Sequence, residues 1–153
     1  MGGPITQDRL NKYLALEREA ENCRERIARM ESRTQFPTMG EPSESKHQPG
    51  SGDRMERDII RLMECREKSE PIIEANEAEM KAIENAIDAL ADPLEREVLR
   101  LRYIDGSYSV KSKKMKWKDV ALIMYGNNEK STIDMLYQIH NKALQNIGKV
   151  ETE

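Results

Sequence analysis

The residues best suited to recognition chemistry lie near the C-terminus, on one face of the helix predicted over STIDMLYQIHNKAL. At helical spacing that face carries Asp134, Tyr137, Gln138, Asn141, Lys142 and Gln145. Side-chain amides can pair bidentately with adenine edges, and tyrosine and lysine side chains can contact phosphates. A solvated bundle helix more often carries Glu/Lys pairs, which this face lacks. The pattern therefore predicts a helix that enters the major groove of double-stranded DNA.

A basic segment precedes this helix. The ten residues SYSVKSKKMK contain four lysines and no acid, and Lys118 follows shortly after them. Lysine contacts with phosphates are independent of base sequence and sensitive to salt, so the segment is suited to anchoring on DNA. The alternative is an ordinary soluble loop. Outside the polar face, the residues predicted to contact DNA are Lys113, Lys114, Lys116, Lys118, Lys130 and Thr132.

Catalytic and metal-binding constellations are not apparent in the sequence. It contains no paired carboxylates, nucleophile elbow or phosphate-binding loop, and His47 and His140 are isolated. Cys23 and Cys65 occur without a CxxC motif or a neighbouring histidine cluster, which argues against a zinc site and a disulfide scaffold. We therefore expect no enzymatic activity, no metal and no cofactor. His140 is predicted to be a packed structural side chain.

The composition of this 153-residue chain favours long, solvated helices. Charged residues make up 35% and hydrophobic residues 37%, with a single Trp and a single Phe. Residues 93–149 carry 11 Lys and Arg against 6 Asp and Glu, whereas residues 1–92 are acidic, so only the second part is expected to meet a polyanion. The sequence has no apolar run of membrane-spanning length and no secretory signal, which predicts a cytoplasmic protein without a membrane partner.

Two long helices are predicted ahead of the C-terminal domain. Residues 1–33 form the first, with Thr6 as its cap, and residues 34–53, rich in Pro, Gly and Ser, form a flexible linker. Residues 54–91 form the second, because seam positions recur alternately every four and three residues, as in a coiled coil. These positions are Met55, Ile59, Leu62, Arg66, Ser69, Ile73, Asn76, Met80, Ile83, Ile87 and Leu90.

The seam of the second helix raises two further expectations. Pro71 removes a backbone hydrogen bond, so a kink or a short break is expected at Ser69–Pro71. A helix of this length cannot cover its own seam and needs a partner. The first helix could fold back on it, or a second copy of the chain could form a homodimer, and the sequence leaves both open.

Residues 92–149 are predicted to form three short helices, followed by a tail over residues 150–153. Asp92 caps the first helix, Pro93 is its first residue, and Glu95 can reach back to the cap. Gly106 and Gly126 end the first two helices, where a left-handed residue is favoured. Ser131 or Thr132 caps the third. The fold class predicted is all-α, with long coiled-coil helices and a C-terminal helix-turn-helix domain.

The apolar stripes of these three helices define their buried faces. The first stripe comprises Leu94, Val98 and Leu101, flanked by Leu99 and Tyr103. The second comprises Trp117, Val120, Ala121 and Met124, and the third Leu136, Ile139, His140, Ala143 and Ile147.

Three segments, DPLEREVLRLRYIDG, WKDVALIMYG and IDMLYQIHNKAL, together resemble the fourth region of bacterial sigma factors. The matching positions in the first segment are Glu95, Arg96, Glu97, Val98, Leu99, Leu101, Arg102, Tyr103, Asp105 and Gly106. In the second and third segments they are Trp117, Val120, Ala121, Gly126, His140, Lys142, Ala143 and Leu144. The resemblance covers roughly residues 92–148. It implies a helix-turn-helix whose last helix reads DNA.

The whole layout is similar to small phage-encoded proteins of Gram-positive bacteria, grouped with late-gene transcriptional regulators of the ArpU and RinA kind. This resemblance implies a phage or prophage transcriptional regulator. The sequence shows no counterpart of sigma regions two and three, which argues against a stand-alone promoter-opening factor.

A second hypothesis stays open, because the equivalent sigma domain also docks on RNA polymerase. In this alternative the chain is a protein-interaction module that binds RNA polymerase or another regulator without sequence-specific DNA binding. The presence of Asp134 and Met135 in the reading position favours this alternative.

Overall fold

A computed structural model describes residues 3–35 and 51–151 of the chain. Every regular element within these ranges is a helix. In chain order they are α1 (Gln7–Gln35), α2 (Ser51–Asp88), α3 (Pro93–Leu99), a π-helical turn (Arg100–Asp105), α4 (Trp117–Tyr125) and α5 (Lys130–Ile147). The predicted all-α fold class is confirmed for this part of the chain. Most of the predicted linker, residues 36–50, lies outside the described residues, as do the last two residues of the tail.

The chain forms two compact units. The terminal unit comprises Met1–Arg18 and Glu77–Glu153, and the hairpin unit comprises Glu19–Asn76. Each of the two long helices contributes residues to both units. The division therefore passes through α1 and α2, and residues 92–149 belong to a larger unit than the three short helices alone.

In the hairpin unit, the second part of α1 runs antiparallel to the first part of α2. Asn76 donates from Nδ2 to Oε1 of Glu19 at 2.8 Å, and Arg66 forms an ion pair with Glu31. Asn76 and Arg66 are polar positions of the α2 seam, and both find partners on α1 of the same chain. Within this unit, the first helix is thus the partner that α2 contacts.

Pro71 lies inside α2 without interrupting it. Of the kink or short break expected at Ser69–Pro71, the short break is therefore wrong. The missing N–H leaves only the carbonyl of Glu67 without its helical donor. Pro71 is exposed, so water can supply that donor, while Ser69 on the other side of the helix remains buried.

The terminal unit is held together by a core that joins both long helices to the C-terminal helices. Thr6 caps α1 as predicted, since its Oγ1 accepts from the backbone N–H of Arg9 at 3.3 Å. Arg9 in turn donates to both carboxylate oxygens of Glu79, each at 2.7 Å. The buried side chains of this core are Ile5, Leu10, Tyr13, Leu14, Ile83, Ala86, Ile87, Leu90, Leu99, Tyr103, Ala143 and Ile147. Burying each large aliphatic side chain contributes about 1.5–3 kcal/mol relative to leaving it exposed.

At the start of α3, the predicted cap is confirmed, but the buried face differs from the prediction. Oδ1 of Asp92 accepts from the N–H of Leu94 at 2.9 Å, and Pro93 is the first helical residue, both as predicted. Glu95 does not reach back to the cap. It is buried, and its two carboxylate oxygens accept from Nδ2 of Asn146 at 2.9 and 3.1 Å. Leu94, predicted to be buried, is exposed because the buried side begins one residue later with Glu95.

A second core cluster positions α4 and α5. It consists of Val98, Leu101, Met115, Val120, Ala121 and Leu136. Gly126 ends α4 in the left-handed conformation, with φ 76° and ψ 4°, as predicted. Gly106 also has a positive φ of 77°, but its ψ of −174° is extended. Its N–H closes the π-helical turn by donating to the carbonyl of Leu101 at 3.3 Å.

Candidate nucleic-acid interface

Helix α5 is amphipathic, and one side of it is anchored in the terminal unit. Its buried residues are Thr132, Leu136, His140, Ala143 and Ile147, which form one stripe at helical spacing. The opposite face is exposed and carries Asp134, Tyr137, Gln138, Asn141, Lys142 and Gln145. The buried stripe predicted from the sequence is confirmed, with Ile139 half-buried at its edge.

The beginning of α5 differs from the prediction. The helix starts at Lys130, and the residue before it, Glu129, makes no side-chain capping hydrogen bond. Capping by Ser131 or Thr132 is therefore wrong. Asn127 orders this turn instead, since its Oδ1 accepts from the N–H of Glu129 at 3.1 Å and from the hydroxyl of Thr132 at 2.6 Å. Hydrogen bonds from nearby groups to an Asn side chain can mimic those that close a backbone turn. Thr132, predicted to contact DNA, is buried with its hydroxyl engaged.

His140 lies in an aromatic cluster beneath the polar face. Its Nε2 is 2.7 Å from the hydroxyl of Tyr103, which also accepts from Nε2 of Gln7 at 3.3 Å. The His140 and Tyr103 rings stack with centroids 5.7 Å apart, and Trp117 meets His140 edge-on at 4.9 Å. Burial, followed by the positive charges of Arg102 and Lys114, lowers the pKa of His140 to about 4. At neutral pH the ring is therefore an uncharged structural element, as predicted.

Arg102 ties the lysine-rich loop to the helices. Its guanidinium lies 4.7 Å from the ring centroid of Trp117, and its Nη1 donates to the carbonyl of Met115. Burial lowers the pKa of Arg102, but a guanidinium stays charged at physiological pH, so the contact with the indole is a cation–π interaction. These contacts fix the end of the loop against the π-helical turn.

The predicted DNA-contacting lysines fall into two groups. Lys113, Lys116, Lys118 and Lys130 are exposed. Lys114 is half-buried, since its Nζ donates to Oδ1 of Asn11 at 2.8 Å and lies 5.8 Å from the ring centroid of Tyr103. Burial, followed by the charge of Arg102, lowers the pKa of Lys114. Lys114 thus connects the loop to α1, whereas the other four point into solvent.

The loop and the polar face of α5 meet at Trp117. The rings of Trp117 and Tyr137 are edge to face, with centroids 5.2 Å apart. Because Trp117 stands between Lys116 and Lys118 in the chain, Tyr137 is held beside the segment that carries both lysines. Lys142 is more distant, about 18 Å along the axis of α5 from Lys130 at the rise of an α-helix.

Three residues that shape this region are not predicted from the sequence to belong to the site: Asn127, Arg102 and Asn11. The pair Asn127-Asn128 after Gly126 is a typical turn signal, which could have indicated the role of Asn127. Arg102 and Asn11 give no such signal, because their partners are distant in sequence.

The described part of the chain contains no group of three His, Cys, Asp or Glu side chains that could hold a metal ion. None of the helices in residues 3–35 and 51–151 has the length and apolar character needed to cross a membrane. Comparison with known proteins found no matching family model, curated protein or solved structure. The resemblance seen in residues 92–148 therefore stays a prediction.

Proposed function

We propose that this chain is a DNA-binding transcriptional regulator, of the phage-related kind that resembles sigma region four, and that α5 is its recognition helix. The observation that carries the proposal is the contrast between the two sides of α5. One side is fixed by a buried stripe, while the other exposes amides, a tyrosine and a lysine next to a basic loop. In this proposal α4 and α5 form the helix-turn-helix.

The exposed face of α5 has the chemistry that base recognition requires. The amides of Gln138 and Asn141 can each pair bidentately with the N6 and N7 atoms of adenine. Asp134 can accept from N4 of cytosine, the one base edge that favours a carboxylate. Tyr137 and Lys142 lie at the sides of the same face, where phosphates flank the groove. An α-helix fits the width of the major groove of about 12 Å.

Lys113, Lys116, Lys118 and Lys130 are the proposed phosphate anchors. All four are exposed and belong to the loop, to the start of α4 or to the start of α5. Thr132 and Lys114 are assigned positioning roles in this proposal, because Thr132 donates to Asn127 and Lys114 donates to Asn11. Each lysine removed should lower the dependence of log K on log salt by about one.

Selection of bound duplexes from a random pool, followed by gel shift at low and raised salt, tests the proposal. We expect an enriched motif, with binding that weakens as salt rises. Gln138→Ala should change the preference at one or two base pairs, while Lys116→Ala should weaken binding to all sequences alike. Lys68→Ala, at an exposed lysine of α2 in the hairpin unit, is the matched control. Absence of binding at low salt by folded protein would refute the proposal.

A second candidate function is docking on RNA polymerase or another regulator. The observation that favours it is the set of exposed apolar side chains on α4 and the first turns of α5, namely Leu122, Ile123, Tyr125 and Met135. Exposed apolar patches often mark protein–protein interfaces. This function is favoured if the wild-type chain retains polymerase subunits in a pull-down but binds no DNA. Leu122→Glu should then abolish the retention, and Gln138→Ala should leave it unchanged.

A further inference from the structure

The hairpin unit contains a seam that its own two helices cover only in part. The contacts of Glu31 with Arg66 and of Glu19 with Asn76 fix one antiparallel register between α1 and α2. In that register the end of α1 at Gln35 lies level with about Leu62 of α2. The first ten or so residues of α2, about 15 Å of helix, extend beyond it.

Burial along α2 changes at the same place. Leu62 and Cys65 are each 8% exposed, and Ser69 is 2% exposed. Met55 and Ile59, the seam positions before Leu62, are by contrast 49% and 43% exposed, and Ile60 and Met63 on the adjoining side of α2 are 51% and 59% exposed. The seam is thus covered where the described part of α1 runs beside it and open beyond the end of α1. We refer to Met55 and Ile59, together with Ile60 and Met63 on the adjoining side of the helix, as the open seam.

The open seam continues the pattern of the covered seam. Met55 and Ile59 belong to the same three-and-four repeat as Leu62, and Met63 follows Ile59 by one turn on the exposed side. Such a ridge favours a helical partner, because packing against another element removes its apolar side chains from water.

The charges around the open seam favour an identical partner. Acidic and basic residues alternate along this part of α2, as in Glu56, Arg57, Asp58, Arg61 and Glu64. A surface of mixed sign does not repel a copy of itself, and it offers no uniform field to a polyanion or to a strongly charged protein. A second copy also brings a ridge of the same length and shape.

We propose that two copies of this chain associate through the open seam, with the first turns of α2 from each copy packed against one another. Four side chains cover less than the roughly 800 Å² per partner that a stable interface buries. The dimer is therefore weak and forms in a concentration-dependent manner. The proposal stands whether or not the chain binds DNA, since it rests on α1 and α2 alone.

Sedimentation equilibrium of the full chain over a wide concentration range tests this proposal. The apparent mass should rise from 17.7 kDa toward twice that value as the concentration increases. Ile59→Glu and Met63→Glu should each raise the dissociation constant at least tenfold. Ile72→Glu is the matched control, because Ile72 is exposed on a different face of α2 and should leave association unchanged.

A mixing experiment keeps the test independent of folding defects. Ile59→Glu and Ile59→Lys chains should each stay monomeric alone and associate when mixed, because opposite charges replace the apolar contact. A chain that remains at 17.7 kDa at all concentrations overturns the proposal. So does association that Ile59→Glu and Met63→Glu leave unchanged, since it would use another surface. If Ile59→Glu lowers the stability of a strictly monomeric chain, residues of the chain itself cover the open seam.

Discussion

The rings of Tyr137 and Trp117 meet edge to face, with centroids 5.2 Å apart and planes inclined at 83°. Tyr137 is 44% exposed on the polar face of α5, and Trp117 is the only tryptophan of the chain. This pair links the proposed recognition face to a single fluorophore beneath it, so the protein carries its own reporter of binding.

We expect the emission of Trp117 to change when duplex DNA is added, because DNA that covers Tyr137 alters the surroundings of the indole. The change should saturate in parallel with a gel-shift curve. Tyr137→Phe keeps the aromatic contact and should retain the response. It should weaken binding roughly 2- to 12-fold, the equivalent of one hydrogen bond of about 0.5–1.5 kcal/mol. DNA binding without any change in emission would place the DNA on another surface.

Lys113 and Lys114 should differ in what they contribute, although they are neighbours in sequence. Lys113→Ala should weaken DNA binding and lower the salt slope by about one, with little effect on stability. Lys114→Ala should mainly lower the free energy of unfolding, by about 1 kcal/mol, because it removes the hydrogen bond to Asn11. Urea denaturation and salt-dependent binding of both variants measure the two effects. Equal losses of affinity with no loss of stability would show that Lys114 is a phosphate contact after all.

The buried His140 should make stability sensitive to acid. Its pKa is lowered to about 4 in the folded chain, from an ordinary value of 6.5. The unfolded chain therefore binds the proton first as the pH falls. The free energy of unfolding is unaffected by this group above pH 6.5 and decreases as the pH falls from 6.5 toward 4. Denaturation measured at several pH values should show a shallower decrease for His140→Gln between pH 6.5 and 5, where few carboxylates titrate. Parallel curves for the two proteins would contradict the assignment.

Gly106 and Gly126 both have a positive φ but differ in ψ and in their surroundings, so an added side chain should have a different cost at each. A Cβ at Gly106 would lie 3.1 Å from Cδ1 of Leu14 and 3.1 Å from the carbonyl oxygen of Lys113, whereas one at Gly126 would meet nothing within 4 Å. Gly126→Ala should therefore cost only backbone strain, about 1–2 kcal/mol. Gly106→Ala should cost more, because its ψ of −174° places it in a backbone region that essentially only glycine adopts, and because the backbone carbonyl cannot move away easily. Thermal unfolding of both variants gives the comparison, and equal losses would contradict this difference.

Much of the local structure follows from the sequence alone. The cap at Asp92, the positive φ at both glycines and the buried stripe of α5 depend on neighbouring residues and on helical periodicity. The predictions of local structure that were wrong misplace a buried face or a helix start by a few residues. Leu94 is exposed because the buried face of α3 begins at Glu95, and α5 starts at Lys130 because Asn127 orders the turn before it.

Only the tertiary structure decided which surfaces meet. A heptad seam indicates that α2 requires a partner, but the same pattern fits a helix of its own chain or of a second copy. The contacts of Arg66 and Asn76 show that α1 is the partner for the part of the seam that runs beside it. The contacts of Glu95 with Asn146, of Lys114 with Asn11 and of Arg102 with the Trp117 ring were likewise set by the tertiary structure. Periodicity fixes the direction of a side chain on its own helix, whereas the atoms it meets are set by the packing of segments far apart in the chain.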